Sequence, residues 1–241
     1  MKYAVYRIHY GLDFLEESVN NIINDVDLVF ICWSTKPWLK NMQNLPPLNE
    51  NVMDFVNQKF GTKVSCWIRE FDKPLNQYKL IYDEVVSKHG VPKQALFMEP
   101  DMVWDTRELK KALELTDKEI SFNQIEFWKN EHWYITRNKI RPGPTLYNGT
   151  IPETNKGCWS NIELVHPTIK CFNYGFCLNR ETMLYKHDVA IKSSSYISDS
   201  IPNKEWYKDK WLNWTPETED LEISEAHKHH IKKAEPYPYG T

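Results

Sequence analysis

The sequence predicts an α/β domain built on a mostly parallel central sheet with helices on both faces. Three observations predict it. Apolar runs of strand length recur, segments of helical periodicity separate them through the first half, and turn residues mark the joins. The 241 residues fit one domain, with a regular half over 1–116 and a less regular half with a tail over 117–241.

The elements follow in order. Tyr3 to His9 has a strand pattern, and Gly11 permits a turn. Asp13 can cap a helix with Glu16 reaching back, and Phe14, Leu15, Val19, Ile22 and Ile23 recur on one helical face. The unbroken apolar run Leu28 to Trp33 suits a strand buried on both sides. An excursion rich in Pro and Asn spans Lys36 to Asn51, and a short helix follows around Val52 to Phe60. Val64 to Ile68 is a third strand, and Leu75 to His89 is a long helix that Gly90 stops and Pro92 keeps from resuming. The next strand runs Ala95-Leu96-Phe97-Met98 into Glu99-Pro100-Asp101, and Asp105 with Glu108 caps a helix through Leu115. Beyond it, strands are expected over 120–127, 132–137 and 169–178, with a turn at Arg141 to Pro144. Helices are expected over 180–187 and 205–214, the latter with Trp206, Trp211 and Trp214 roughly on one side, and a charged, His-rich tail starts at Glu217.

Composition removes several functional classes. A net charge of -3 gives no electrostatic case for nucleic acid or a membrane surface. No apolar run approaches the ~20 residues that span a bilayer, and the N-terminus lacks a signal-peptide layout. Five scattered cysteines without a C-x-x-C pair read as buried thiols in a reducing compartment, so a cytoplasmic location is expected. The ten tryptophans read first as core and second as surfaces on which sugars or bases stack, with Trp159, Trp206 and Trp211 the candidates.

In parallel sheets, ligands lie beyond the carboxyl ends of the strands. Arg7 to His9, Trp33-Ser34, Glu70 to Asp72 and Glu99 to Asp101 all fall at such ends and should converge on one edge. Glu99 and Asp101, two apart on an extended strand, point to the same side. Pro100 between them cannot donate a ladder hydrogen bond, so the strand ends or lies at an edge there. Hard oxygen ligands at that place suit Mg²⁺ or Mn²⁺ carrying a diphosphate, and the competing reading is two solvated strand-end acids.

Together these residues resemble nucleotide-sugar glycosyltransferases of the GT-A fold, a Rossmann-like fold, near the family 2-like group. The resemblance rests on Tyr6-Arg7-Ile8-His9-Tyr10-Gly11-Leu12-Asp13-Phe14-Leu15-Glu16-Glu17-Ser18 and on the order of elements up to Glu99-Pro100-Asp101, which matches the D-x-D motif. It rests also on Phe172-Asn173-Tyr174-Gly175-Phe176 followed by Arg180-Glu181-Thr182-Met183 and Lys186, and on the Trp-rich stretch before a late histidine. It implies a nucleotide-binding half, 1–116, and an acceptor half, 117–241. It also implies a nucleoside-diphosphate sugar as donor, a carbohydrate or other hydroxyl acceptor, and transfer with inversion.

On that resemblance Asp101 is the chief metal ligand, Glu99 its partner and His227 a third ligand, with His229 and His230 as alternatives and a solvated basic tail as the plain reading. By position, Arg7, Asp72, Asn76 and Lys79 are the nucleotide contacts. Inverting transfer needs a carboxylate base, and Asp199 and then Asp188 are the candidates in the acceptor half. Two departures stand out: the first motif position is Glu rather than Asp, and no Glu-Asp acceptor motif is present. The missing motif leaves a non-catalytic nucleotide- or carbohydrate-binding domain of the same fold as the alternative. A nucleotidylyltransferase needs a Gly-rich basic loop after the first strand to receive a triphosphate, and Gly11-Leu12-Asp13 supplies one glycine and an acid. A zinc hydrolase on His227, His229 and His230 lacks a helix-spaced ligand motif.

Overall fold

Alternating side-chain direction along a strand explains how the sheet is covered. In β1 (Lys2–Ile8), the Tyr6 hydroxyl lies 3.0 Å from that of Ser18 on α1 (Leu15–Ile22), whereas its neighbour Arg7 reaches Gln77 on α3 (Gln77–His89) at 3.0 Å. Successive side chains leave a strand on opposite sides, so α1 and α3 cover opposite faces. The computed structural model describes residues 1–37, 48, 50–71, 77–136, 142–151, 164–193, 207–221 and 233–238.

The first half forms as expected. β1, β2 (Leu28–Trp33), β3 (Val64–Ile68) and β4 (Gln94–Met98) are parallel in the order β4-β1-β2-β3, with Tyr6 level with both Ile31 and Met98. Their carboxyl ends therefore share one edge. The helix α2 (Val52–Phe60) is capped by Asn51, whose side chain accepts from the Asp54 amide at 3.1 Å. Asp105 caps α4 (Thr106–Glu114) through the Arg107 amide at 2.8 Å, as its position predicts. Asp13 does not cap α1; its Oδ1 accepts instead from the Asn179 amide and side chain at 2.9 and 2.7 Å, tying the loop after β1 to the second half of the chain. A long-range partner has displaced the local cap.

The second half extends the same sheet to ten strands among the described residues. β8 (Pro142–Asn148) runs antiparallel to β4 and to β6 (Glu119–Trp128), and β7 (Asn130–Thr136) is antiparallel to β6. β9 (Val165–Phe176) lies parallel to β6 and pairs with the two-residue β5 (Met102–Val103), while β10 (Lys233–Pro236) covers the edge of β7. The expected turn around Pro142 is instead the start of β8, a position where a strand tolerates proline because the missing amide costs no interior ladder bond. α5 (Arg180–Ser193) follows β9.

The Trp-rich stretch is helical but wider than expected: Tyr207–Leu212 is a π-helix, and the Asn213 amide reaches back five residues to the Lys208 carbonyl at 2.9 Å. Trp211 is core rather than a stacking surface. It is buried, stacks on Tyr207, donates from Nε1 to the Phe176 carbonyl at 2.9 Å and carries the Lys129 ammonium 3.8 Å over its ring. Trp159 and Trp206 lie outside the described residues. Cys32 and Cys171 are buried, and Cys66 and Cys177 half-buried; desolvation pushes the thiols of Cys32, Cys66 and Cys177 up to about 12, so they stay protonated at neutral pH. Among the described residues, no helix is long and apolar enough to cross a membrane.

Candidate active site

The convergence expected at the carboxyl edge is present wherever the structure describes it. At the end of β1, Arg7 is clamped: one guanidinium nitrogen meets Glu99 Oε1 at 2.6 Å, another meets Gln77 Oε1 at 3.0 Å, and the group lies 4.9 Å over the Tyr78 ring. Tyr78 is itself fixed by donating to the Met98 carbonyl at 3.0 Å. Past the end of β2, Ser34 Oγ meets Glu70 Oε2, from beyond β3, at 3.1 Å.

His9 joins these elements. Its Nδ1 lies 2.8 Å from the Ser34 carbonyl, which can only accept, so Nδ1 carries the proton and Nε2 accepts from the Tyr185 hydroxyl of α5 at 3.0 Å. Burial lowers the His9 pKa below its ordinary value and keeps the ring neutral. The unfolded chain binds a proton near pH 6.5 that the folded chain resists, so His9's contribution to stability is complete above that pH and is lost as pH falls below it towards the lower folded value. Denaturant unfolding between pH 7.5 and 5 should show a shallower acid loss in His9→Gln than in the parent protein, and equal slopes would show that His9 does not govern it.

The loop after β1 is anchored by a carboxylate. Gly11, at φ +91°, turns its amide to Glu50 Oε2 at 2.9 Å, and the Leu12 amide meets Oε1 at 3.3 Å. Burial raises the Glu50 pKa against the pull of these two amides. Two amides of this loop that could meet a phosphate are thus already held by a carboxylate.

Asp101 lies just past β4, and the Tyr174 amide donates to its carbonyl at 2.8 Å. Its carboxylate faces Gly175 of β9 and Lys186 of α5. Lys186 Nζ donates to the Gly175 carbonyl at 2.6 Å and lies 3.7 Å from Asp101 Oδ2. Asn173 Oδ1 accepts from the Gly175 amide at 2.9 Å. A Cβ on Gly175 would lie 2.7 Å from both Asp101 Oδ2 and Lys186 Nζ and 2.9 Å from Asn173 Oδ1. Three polar groups therefore close over a position that only glycine leaves open. All three are ends of movable side chains and the backbone there needs no positive φ, so Gly175→Ala should fold with about 1 kcal/mol of stability change or less. Displacing the cradle by an ångström should still cost about 100-fold in turnover. Paired melting and rate measurements test this; an equal loss in both would make Gly175 merely structural.

A cleft of about 270 Å³ opens between these groups, and its walls include Arg7, His9, Glu99, Asp101, Glu126, Asn173 and Lys186. Glu126, level with Asn173 across the β6–β9 pairing, is 3% exposed. Sequence reasoning missed it. The available signal was a lone carboxylate inside the apolar strand Ile125-Glu126-Phe127-Trp128.

Other expected site residues fall elsewhere. Lys79 is not on the cleft; its ammonium meets both carboxylate oxygens of Asp83, one helical turn on, at 2.7 Å. Asp188 is half-buried on α5 and also absent from the cleft wall, because residues two apart on a helix face different ways and Lys186 takes the cleft side. Asp72, Asn76, Asp199 and His227, with His229 and His230, lie outside the described residues.

Of the three expected ligands for Mn²⁺ or Mg²⁺, the described residues include Glu99 and Asp101, and each faces a cationic side chain. Glu99 already meets Arg7 at 2.6 Å, and Asp101 already faces an ammonium. Among the described residues no group of three His, Cys, Asp or Glu side chains could hold a metal ion.

No protein-family model and no curated protein sequence matches the chain. Solved structures overlap it in part. The inositol-1-phosphate CTP transferase from T. maritima is 10% identical, with 81% of this chain and 97% of that one covered at a TM-score of 0.41. GalNAc-T7 with UDP, GalNAc and Mn²⁺ is 8% identical, with 87% and 50% covered at 0.40. TarS 1–349 from S. aureus is 11% identical, with 87% and 75% covered at 0.36. Overlap at this level describes backbone layout and carries no chemistry, so function is argued from the cleft.

Proposed function

We propose that the chain is a glycosyltransferase that moves a sugar from a nucleoside-diphosphate sugar to an acceptor hydroxyl with inversion. The observation that carries this reading is the cleft at the carboxyl ends of β1 and β4, where Arg7 and Lys186 share one wall system with Glu99, Asp101 and Glu126. The Lys186 ammonium at that edge suits a diphosphate, and the Glu126 carboxylate on the same cleft wall suits an acceptor hydroxyl. In the reaction, the acceptor oxygen bonds to the sugar C1 as the bond from C1 to the diphosphate oxygen breaks. The hydroxyl proton passes to Glu126, and the nucleoside diphosphate leaves with the bonding electrons. Glu126 takes the role expected of Asp199 or Asp188, since it is a buried carboxylate on the cleft wall, level with Asn173 across the β6–β9 pairing.

The divalent metal implied by the family resemblance has no part in this scheme, because its expected carboxylates face Arg7 and Lys186. The test is a turnover assay with UDP-, GDP-, CMP- and dTDP-sugars against a panel of hydroxyl acceptors, following acceptor-dependent release of nucleotide. Glycosylated product with inverted anomeric configuration is the expected result. Donor binding without turnover across the panel would instead establish a non-catalytic binding domain.

A further inference from the structure

The carboxylates expected to hold a metal are each met by a basic side chain, and the two contacts differ in kind. Arg7 and Glu99 form a close pair at 2.6 Å whose side chains are 14% and 18% exposed, so that pair is internally neutral. Lys186 is held differently. Its ammonium donates to the uncharged Gly175 carbonyl at 2.6 Å, and the Asp101 carboxylate lies 3.7 Å away, beyond hydrogen-bond reach. The Phe176 ring lies 5.2 Å from the ammonium, and the side chain keeps 27% of its surface exposed while lining the cleft.

An ammonium set between a carboxylate and a carbonyl, beside a glycine that the Asn173 amide oxygen also meets, occupies the kind of oxygen-lined place that otherwise receives a hard cation. The cradle exists only because residue 175 has no side chain, since a Cβ would fall within 3 Å of all three polar groups. Lys186 comes from α5 and Asp101 from just past β4, far earlier in the chain, so the fold itself brings the cation to the motif.

From this geometry we infer that Lys186 is the built-in cation of the cleft and binds the diphosphate of the donor without a divalent metal. The inference rests on the nucleotide-sugar reading above for the identity of the ligand, and on the cradle alone for the anion site. Asp101 then acts as a positioning residue: with the Gly175 carbonyl it holds the ammonium at the cleft wall. On binding, the phosphoryl oxygens accept from Lys186, and its stem stays packed beside Phe176. No bond is made or broken in this step.

The test is calorimetry with inorganic pyrophosphate in excess chelator, on the parent protein, Lys186→Met and Lys186→Arg, with thermal melts to verify folding. The parent should bind. Lys186→Met should weaken binding by about 10- to 100-fold, the loss of a hydrogen bond to a charged group. Lys186→Arg should retain most of it, which a purely structural lysine would not explain. If Lys186→Met melts far below the parent, the arginine variant and the parent's binding in chelator still decide the matter. Absence of pyrophosphate binding in chelator, or binding that appears only with Mn²⁺, would overturn the inference. Running the nucleotide-sugar panel alongside separates the two readings. Donors that bind only with Mn²⁺ leave the transferase standing and remove Lys186. Pyrophosphate held by Lys186 with no donor bound leaves the anion site standing and removes the transferase.

Discussion

Glu126→Gln should lower sugar transfer by about 100- to 10,000-fold, the usual contribution of a positioned general base, while donor affinity stays within a few-fold of the parent. Glutamine keeps the volume and much of the hydrogen-bonding capacity of glutamate but cannot accept the acceptor's proton as a carboxylate does. The loss should appear in kcat with KM for the donor unchanged, and the acid limb of the pH–rate profile should disappear with it. A variant that loses donor binding instead would show that Glu126 shapes the cleft rather than acting on the acceptor. Its 3% exposure makes that distinction worth measuring, because a buried carboxylate contributes to both packing and chemistry.

Arg7→Met should be the most destabilising single change at the site. It leaves Glu99 charged, 18% exposed and without its 2.6 Å partner, and it removes the cation from the face of Tyr78. Breaking one side of a largely buried pair costs about 3 kcal/mol, equivalent to a fall in Tm of roughly 6–12 °C for a chain of this size. The double variant Arg7→Met/Glu99→Gln should recover much of that loss, since it removes the stranded charge as well. If the double variant melts no higher than the single one, packing rather than electrostatics holds this edge together.

The parallel half of the fold was legible because its cues are local. Apolar runs, the Asp105 cap and the edge on which Arg7, His9, Ser34, Glu70, Glu99 and Asp101 meet all follow from periodicity and strand direction. The second half was harder because its partners are distant. Pro142 reads as a turn until β4 and β6 are known to flank it, and Asp13 reads as a cap until Asn179 arrives. The candidate site divides in the same way. Glu99 and Asp101 were found from spacing, but spacing carries no information about the cations that meet them. Glu126 was hidden because a single acid in an aromatic strand has no motif. Lys79 and Asp188 lie off the cleft wall, because position along a helix carries no information about its face.

The cradle over Gly175 also bears on how the molecule assembles. Asp101 belongs to a unit of neighbouring strands and helices that can form early from short-range contacts, whereas Gly175 and Lys186 reach it only through pairings that close much of the chain. During synthesis the acid therefore emerges well before its cation does. A molecule in which β9 and α5 have not docked would hold the parallel strands without a complete cleft.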